Sequence, residues 1–187
     1  AEPYARRLVQ MGEEPWRVHC SGAPGLDRLL RLARLSREAL AERVGLPLRR
    51  PTLLVTFHPV TLEYADTAMH ADELAAALSK VDGDVIATYP GADTAGQTII
   101  ERLEALAASR PGTRLVKSLG DEVYASLLRE VDVMVGNSSS GIIEAPSFGL
   151  PVVNIGSRQR GRLRAANVID VGYGRDEILD GIRRALE

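Results

Sequence analysis

From residue 52 onward the chain alternates short continuous apolar runs with longer segments whose apolar residues recur at helical spacing. Leu53-Leu54-Val55-Thr56-Phe57 is apolar without alternation, the pattern of a strand buried on both faces. Asp84 to Tyr89, Thr113 to Lys117, Val131 to Val135, Pro151 to Ile155 and Asn167 to Val171 are predicted as five further strands. Between them, 64–80 carries Ala68, Leu74, Ala75 and Leu78 at near-helical spacing, and 94–109 carries Ile99, Ile100, Leu103 and Leu106 on one face. Further helices are predicted over 121–130, with Asp121 as its cap, over 139–148, closed by Gly149, and over 175–186.

Six strands separated by helices indicate an α/β fold with a doubly wound, parallel, Rossmann-like sheet. Ligands in such sheets bind beyond the carboxyl ends of the strands. His58, Pro90 to Asp93, Leu119, Asn137 to Ser140 and Gly156 to Arg160 all fall there.

The first fifty residues differ. Pro3 to Gln10 resembles the end of a helix, Trp16 to His19 a short strand, and Ala23-Pro24-Gly25 a hinge. Leu26 to Val44 is amphipathic, with Leu29, Leu30, Leu32, Leu35, Leu40 and Val44 on its apolar side. We therefore expect residues 1–50 to be an interdomain connection with a remnant of a preceding domain, and residues 51–187 to be the Rossmann-like domain. Residue 1 is not methionine and reads as a cut point.

Composition narrows the chemistry. A 187-residue chain with 45% hydrophobic and 26% charged residues matches an ordinary globular protein. A net charge of −2 without a basic stripe gives no case for nucleic acid or an acidic membrane. The single cysteine, Cys20, rules out an internal disulfide framework and suggests a reducing, cytoplasmic setting. No apolar run approaches the ~18–20 residues that span a bilayer. No Walker loop, G-x-G-x-x-G fingerprint or metal-spaced histidine cluster occurs, which counts against an ATPase, a dehydrogenase and a zinc hydrolase.

The most informative stretch is Gly136-Asn137-Ser138-Ser139-Ser140-Gly141-Ile142-Ile143-Glu144-Ala145-Pro146. A strand ending in small polar residues that open a helix presents backbone N–H groups to an anion. Serine also caps helices unaided, but three in a row exceed what a cap requires. G-x-S-x-G is absent and no histidine–acid pair accompanies the serines, so Ser138, Ser139 and Ser140 read as binders and not as nucleophiles. Glu144 follows in the first turns, either as an exposed helix residue or as a grip on ribose hydroxyls beside the anion. His58 ends the first strand, where an imidazole contacts a phosphate, transfers a proton, or simply bonds a neighbouring loop. Arg158, nearest the fifth strand, is a phosphate candidate; Arg160, Arg162 and Arg164 fit a solvated basic loop. Asp93 and Asp121 read mainly as helix caps, and His19 and His70 as structural histidines.

Three segments resemble the UDP-N-acetylglucosamine 2-epimerase family: Thr56 to Thr61, Gly136 to Pro146, and Phe148 to Arg162. Met11 to Trp16 and Gly22 to Asp27 resemble the interdomain segment of its hydrolysing branch, which makes N-acetylmannosamine for sialic acid synthesis. The resemblance covers nearly the whole chain and places it as the carboxyl-terminal half of a GT-B-like, two-domain enzyme. It implies that His58 contacts the diphosphate and is the catalytic candidate on this half. It further implies that Ser138, Ser139 and Arg158 contact the phosphates of UDP, that Glu144 grips the ribose, and that Asn137 and Ser140 also bind UDP. Lys117 to Leu119 would hold the uracil. The implied partners are UDP-N-acetylglucosamine or UDP, the missing amino-terminal domain, and further copies in a homo-oligomer; no metal or nicotinamide cofactor is required. The implied reaction eliminates UDP and adds water with inversion at C2. The isolated half is expected to bind UDP weakly and to turn over negligibly. Two rivals share the fold: the donor-binding domain of a GT-B glycosyltransferase, and a non-catalytic nucleotide-sugar sensor.

Overall fold

The computed structural model describes residues 1–91 and 95–187. The chain divides into two compact units, 1–32 and 33–187. The first contains helices α1 (Glu2–Gln10) and α2 (Gly25–Arg31), with a 3-10 turn over Pro15–Arg17 where a strand was expected. Pro15 opens that turn, and Glu14 accepts from the Trp16 indole N–H at 3.0 Å.

The larger unit begins with α3 (Arg37–Val44), so the helix expected over 26–44 is divided. Ser36 caps α3 by accepting from the Ala39 N–H at 3.2 Å. A serine side chain bonded to the backbone favours a helix start over a helix interior. Leu40, Val44 and Leu48 are buried, and α3 packs on α6 (Gly120–Glu130). Buried Asp84 accepts from the Arg49 N–H at 2.8 Å and from its guanidinium at 3.1 Å, tying residue 49 to the sheet. The compact unit thus starts well before residue 51.

Among the described residues six parallel strands form one sheet: β1 (Thr52–Thr56), β2 (Asp84–Thr88), β3 (Thr113–Val116), β4 (Val133–Gly136), β5 (Val152–Ile155) and β6 (Val168–Val171). Their order is β3-β2-β1-β4-β5-β6, the doubly wound Rossmann order, which reverses between β1 and β4. Leu53, Val55 and Phe57 pack in a core with α4 (Thr67–Leu78), α5 (Gly96–Ser109) and α8 (Arg175–Leu186). Leu54 and Ile86, at alternate strand positions, are equally buried. Burial on both faces explains why β1 carries an unbroken apolar run.

The segment expected as one helix over 139–148 is a single α-turn, α7 (Ser140–Ile143), followed by a 3-10 turn over Ala145–Phe148. Pro146 accounts for the break, because it has no N–H to bond Ile142 and its ring would meet that carbonyl. Gly149 closes the segment in the left-handed region, φ 63°. Asp121 does not cap α6: Leu119 occupies that position and Asp121 lies in the first turn. Asp93, the other candidate cap, lies outside the described residues.

Candidate functional site at the sheet's switch point

β1 and β4 are neighbours whose connections depart in opposite directions, so a crevice opens at their carboxyl ends. Thr56 pairs with Gly136 in that register. Gly136 has φ 135°, and a Cβ there would lie 2.0 Å from the Thr56 carbonyl oxygen. Only glycine allows the two strand ends to close this tightly.

Asn137 comes next and is fully buried. Its side-chain oxygen accepts from the His58 N–H at 2.7 Å and its amide donates to the His58 carbonyl at 2.8 Å. The Asn137 side chain thus braces the segment that carries His58. His58 Nδ1 accepts from the Gly91 N–H at 2.9 Å. Acceptance at Nδ1 leaves the neutral ring's proton on Nε2.

Ser138, Ser139 and Ser140 form the turn into α7. The backbone N–H groups of Ser138 and Ser139 donate to no acceptor among the described residues, while Ser138 Oγ accepts from the Ser140 N–H at 3.3 Å. The Ser140 hydroxyl donates to Glu144 Oε2 at 2.5 Å and also bonds the Tyr124 hydroxyl. Both bonds are internal to the protein. Burial pushes the Tyr124 phenol well above the usual tyrosine range, so it stays a neutral donor. Glu144 is half-buried and held through Oε2.

Arg158 is exposed, and its guanidinium donates to the Asn137 carbonyl at 3.2 Å. The next residue, Gln159, is only 1% exposed and donates to the same carbonyl at 2.8 Å. The loop after β5 is thereby fastened to the end of β4. The structure thus gathers His58 and Arg158 around Asn137, next to the serine turn that holds Glu144. Lys117 and Leu119 lie at the end of β3, two strands from β1, or about 10 Å at ordinary strand spacing. α6 bridges that interval, beginning next to Leu119 and carrying Tyr124 to the serine turn.

The family model for UDP-N-acetylglucosamine 2-epimerase matches residues 1–187. The chain belongs to the UDP-N-acetylglucosamine 2-epimerase family. A UDP-N,N'-diacetylbacillosamine 2-epimerase (hydrolyzing) from Legionella pneumophila is 38% identical over 99% of this chain, which covers 49% of that protein. The polysialic acid biosynthesis protein P7 of Escherichia coli is 37% identical over 97% of this chain and 46% of its own length. The chain spans about half the length of these curated relatives. In fold it resembles the UDP co-structure of S. aureus MnaA, with a TM-score of 0.76 at 13% identity, covering all of this chain and 50% of that one.

Within this epimerase-family chain, two supporting residues escaped sequence reasoning. Tyr124 reads as one more large residue on an amphipathic helix, since nothing in the pattern shows where its hydroxyl goes. Gln159 sits beside Arg158 in a polar run, and only the fold shows that one side chain is buried while the other faces out. No helix among the described residues is long and apolar enough to cross a membrane.

Proposed function

We infer that this chain is the UDP-gripping, carboxyl-terminal half of a hydrolysing UDP-N-acetylglucosamine 2-epimerase. The observation that carries the reading is the gathering of one imidazole donor, a serine turn with two N–H groups that meet no acceptor among the described residues, a tethered carboxylate and an arginine at the switch point. A diphosphate needs the donors and the guanidinium; a ribose beside it needs a carboxylate acceptor. Lys117 and Leu119, some two strand spacings away, would hold the base of an extended nucleotide.

In this reading the reaction removes the C2 proton and breaks the C1–O bond, with UDP as leaving group. Water then adds its oxygen at C1, a proton returns to C2 on the opposite face, and N-acetylmannosamine is released. His58 Nε2–H, the Ser138 and Ser139 donors and Arg158 stabilise the negative charge that grows on the diphosphate as C1–O breaks. Glu144 orients the ribose through Oε1, while Ser140 and Tyr124 fix Oε2. Groups that take the C2 proton belong to an amino-terminal domain in the whole protein, which we read as a cytoplasmic homo-oligomer without a cofactor. The Legionella pneumophila relative favours a second reading of the sugar, UDP-N,N'-diacetylbacillosamine.

Incubating the full-length protein with each nucleotide sugar tests this. Release of UDP with the free C2-inverted sugar is expected, and deuterium from D2O appears at C2. Dependence on an acceptor would instead indicate a glycosyltransferase, and tight binding without turnover a sensor. The 187-residue chain alone is expected to give negligible turnover, because one wall of the cleft cannot preorganise the reaction; robust activity from it would overturn the division of labour.

A further inference from the structure

Beside the crevice lies a second polar cluster that the reading above does not use. Glu63 lies in the 3-10 segment Thr61–Asp66 that follows the His58 loop. Its two carboxylate oxygens accept from two hydroxyls, one from Ser157 and one from Tyr173. The Tyr173 hydroxyl oxygen also accepts from the Ser157 N–H at 3.1 Å. Ser157 is therefore tied at both its backbone and its side chain.

Tyr173 is itself closely packed. Its ring stacks on buried His70 at 3.5 Å between centroids and 7° between planes. It also occupies the space where a Cβ on Gly156 would lie, 2.0 Å from the tyrosine Cζ. Gly156 has φ 71°, so both its conformation and the ring require glycine. A cleft of about 480 Å³ runs along this cluster, lined by Pro59, Val60, Glu63, Ser157, Arg158 and Arg160.

Arg158 is thus an exposed side chain between two immobilised neighbours, Ser157 held by Glu63 and Tyr173, and Gln159 held by the Asn137 carbonyl. We propose that Glu63 is a positioning residue: through Ser157 and Tyr173 it seats the loop after β5 so that Arg158 meets the ligand's phosphates with its backbone already ordered. This rests on the reading of the crevice as a UDP site. Without Glu63 the Ser157 hydroxyl loses its acceptor, the loop gains freedom, and binding must order it. Bonds from both hydroxyls hold the Glu63 carboxyl below the usual carboxylate range, so it accepts from them as an anion at neutral pH.

The test is a double-mutant cycle read by UDP affinity of the 187-residue chain, using ligand-observed NMR, with circular dichroism confirming the fold of each variant. Glu63→Gln is expected to weaken UDP binding about tenfold, the scale of a lost hydrogen bond to a charged group. In an Arg158→Ala background the same change is expected to alter affinity less than about twofold, because a residue acting through Arg158 has nothing left to position. Ser157→Ala and Tyr173→Phe, which keep the ring stack and the backbone, should reproduce the effect in part and serve if Glu63→Gln does not fold. Additive effects of Glu63→Gln and Arg158→Ala, or full affinity in a folded Glu63→Gln, overturn the proposal while leaving the UDP site intact. If Arg158→Ala alone leaves UDP binding unchanged, the phosphate role of Arg158 falls and the proposal falls with it.

Discussion

Ser140 and Glu144 are one helical turn apart, and the serine hydroxyl donates to the carboxylate at 2.5 Å. That single bond decides how Glu144 works. Oε2 is occupied from within the protein, and Tyr124, bonded to the same serine from α6, completes the tether. In the proposed UDP site, Glu144 would then meet the ribose through Oε1, held still in advance, which lowers the ordering cost of binding.

Tyr124→Phe removes one hydroxyl and keeps the packing. Loss of one buried hydrogen bond should lower stability by about 1 kcal/mol. UDP affinity should fall severalfold, because Ser140 can then rotate and release Glu144. Chemical denaturation gives the first quantity and UDP titration the second. Full UDP affinity in Tyr124→Phe would show that the tether does not organise Glu144.

Asn137 and His58 should separate cleanly. Asn137→Ala strips a fully buried brace from two backbone groups of residue 58, and a cost of about 2–4 kcal/mol is expected for two unsatisfied groups. His58→Ala removes a half-buried ring and should cost less stability while weakening UDP binding. Urea melts beside UDP titrations of the two variants check the pattern. Equal destabilisation by both would contradict the division between brace and donor.

His70 predicts a pH dependence of a defined sign. Its burial outweighs the nearby Glu63 and Asp66 carboxylates and lowers its pKa below the ordinary value. The unfolded chain then binds a proton near pH 6.5 that the folded chain refuses, so stability is greatest above that value and falls as pH drops toward 5. Glu63, with its depressed pKa, contributes stability that is lost only at lower pH, below the ordinary carboxylate range. Thermal melts from pH 7.5 to 5 should show a declining midpoint, flattened by His70→Phe, which preserves an aromatic stack on Tyr173. An unchanged slope in His70→Phe would assign the dependence elsewhere.

The fold was legible because its signals are local. Continuous apolar runs at Leu53 and Val85 report burial on both faces, and the small polar residues after Gly136 report a strand end. Strand order was not legible, since parallel strands pair at long range and no residue in β1 names β4 as its neighbour. Apolar spacing over 139–148 predicts one helix, but the missing N–H of Pro146 ends the α-turn. Asn137, Ser140 and Gln159 show the same limit within the site. A polar side chain at a strand end has the chemistry to meet a ligand or to brace the backbone, and only the partner's position decides which. Glu63, Tyr124 and Tyr173 went unnoticed because their hydrogen bonds reach residues 16 to 110 positions away.

The most direct test of the central claim is titration of UDP into the 187-residue chain by calorimetry, alongside Glu144→Ala and Arg158→Ala. One saturable, weak site is expected, with each substitution lowering affinity about tenfold or more, the scale of a lost charge-assisted contact. Absence of UDP binding by the folded chain, or affinity unchanged by both substitutions, would contradict the assignment of this crevice as the nucleotide grip.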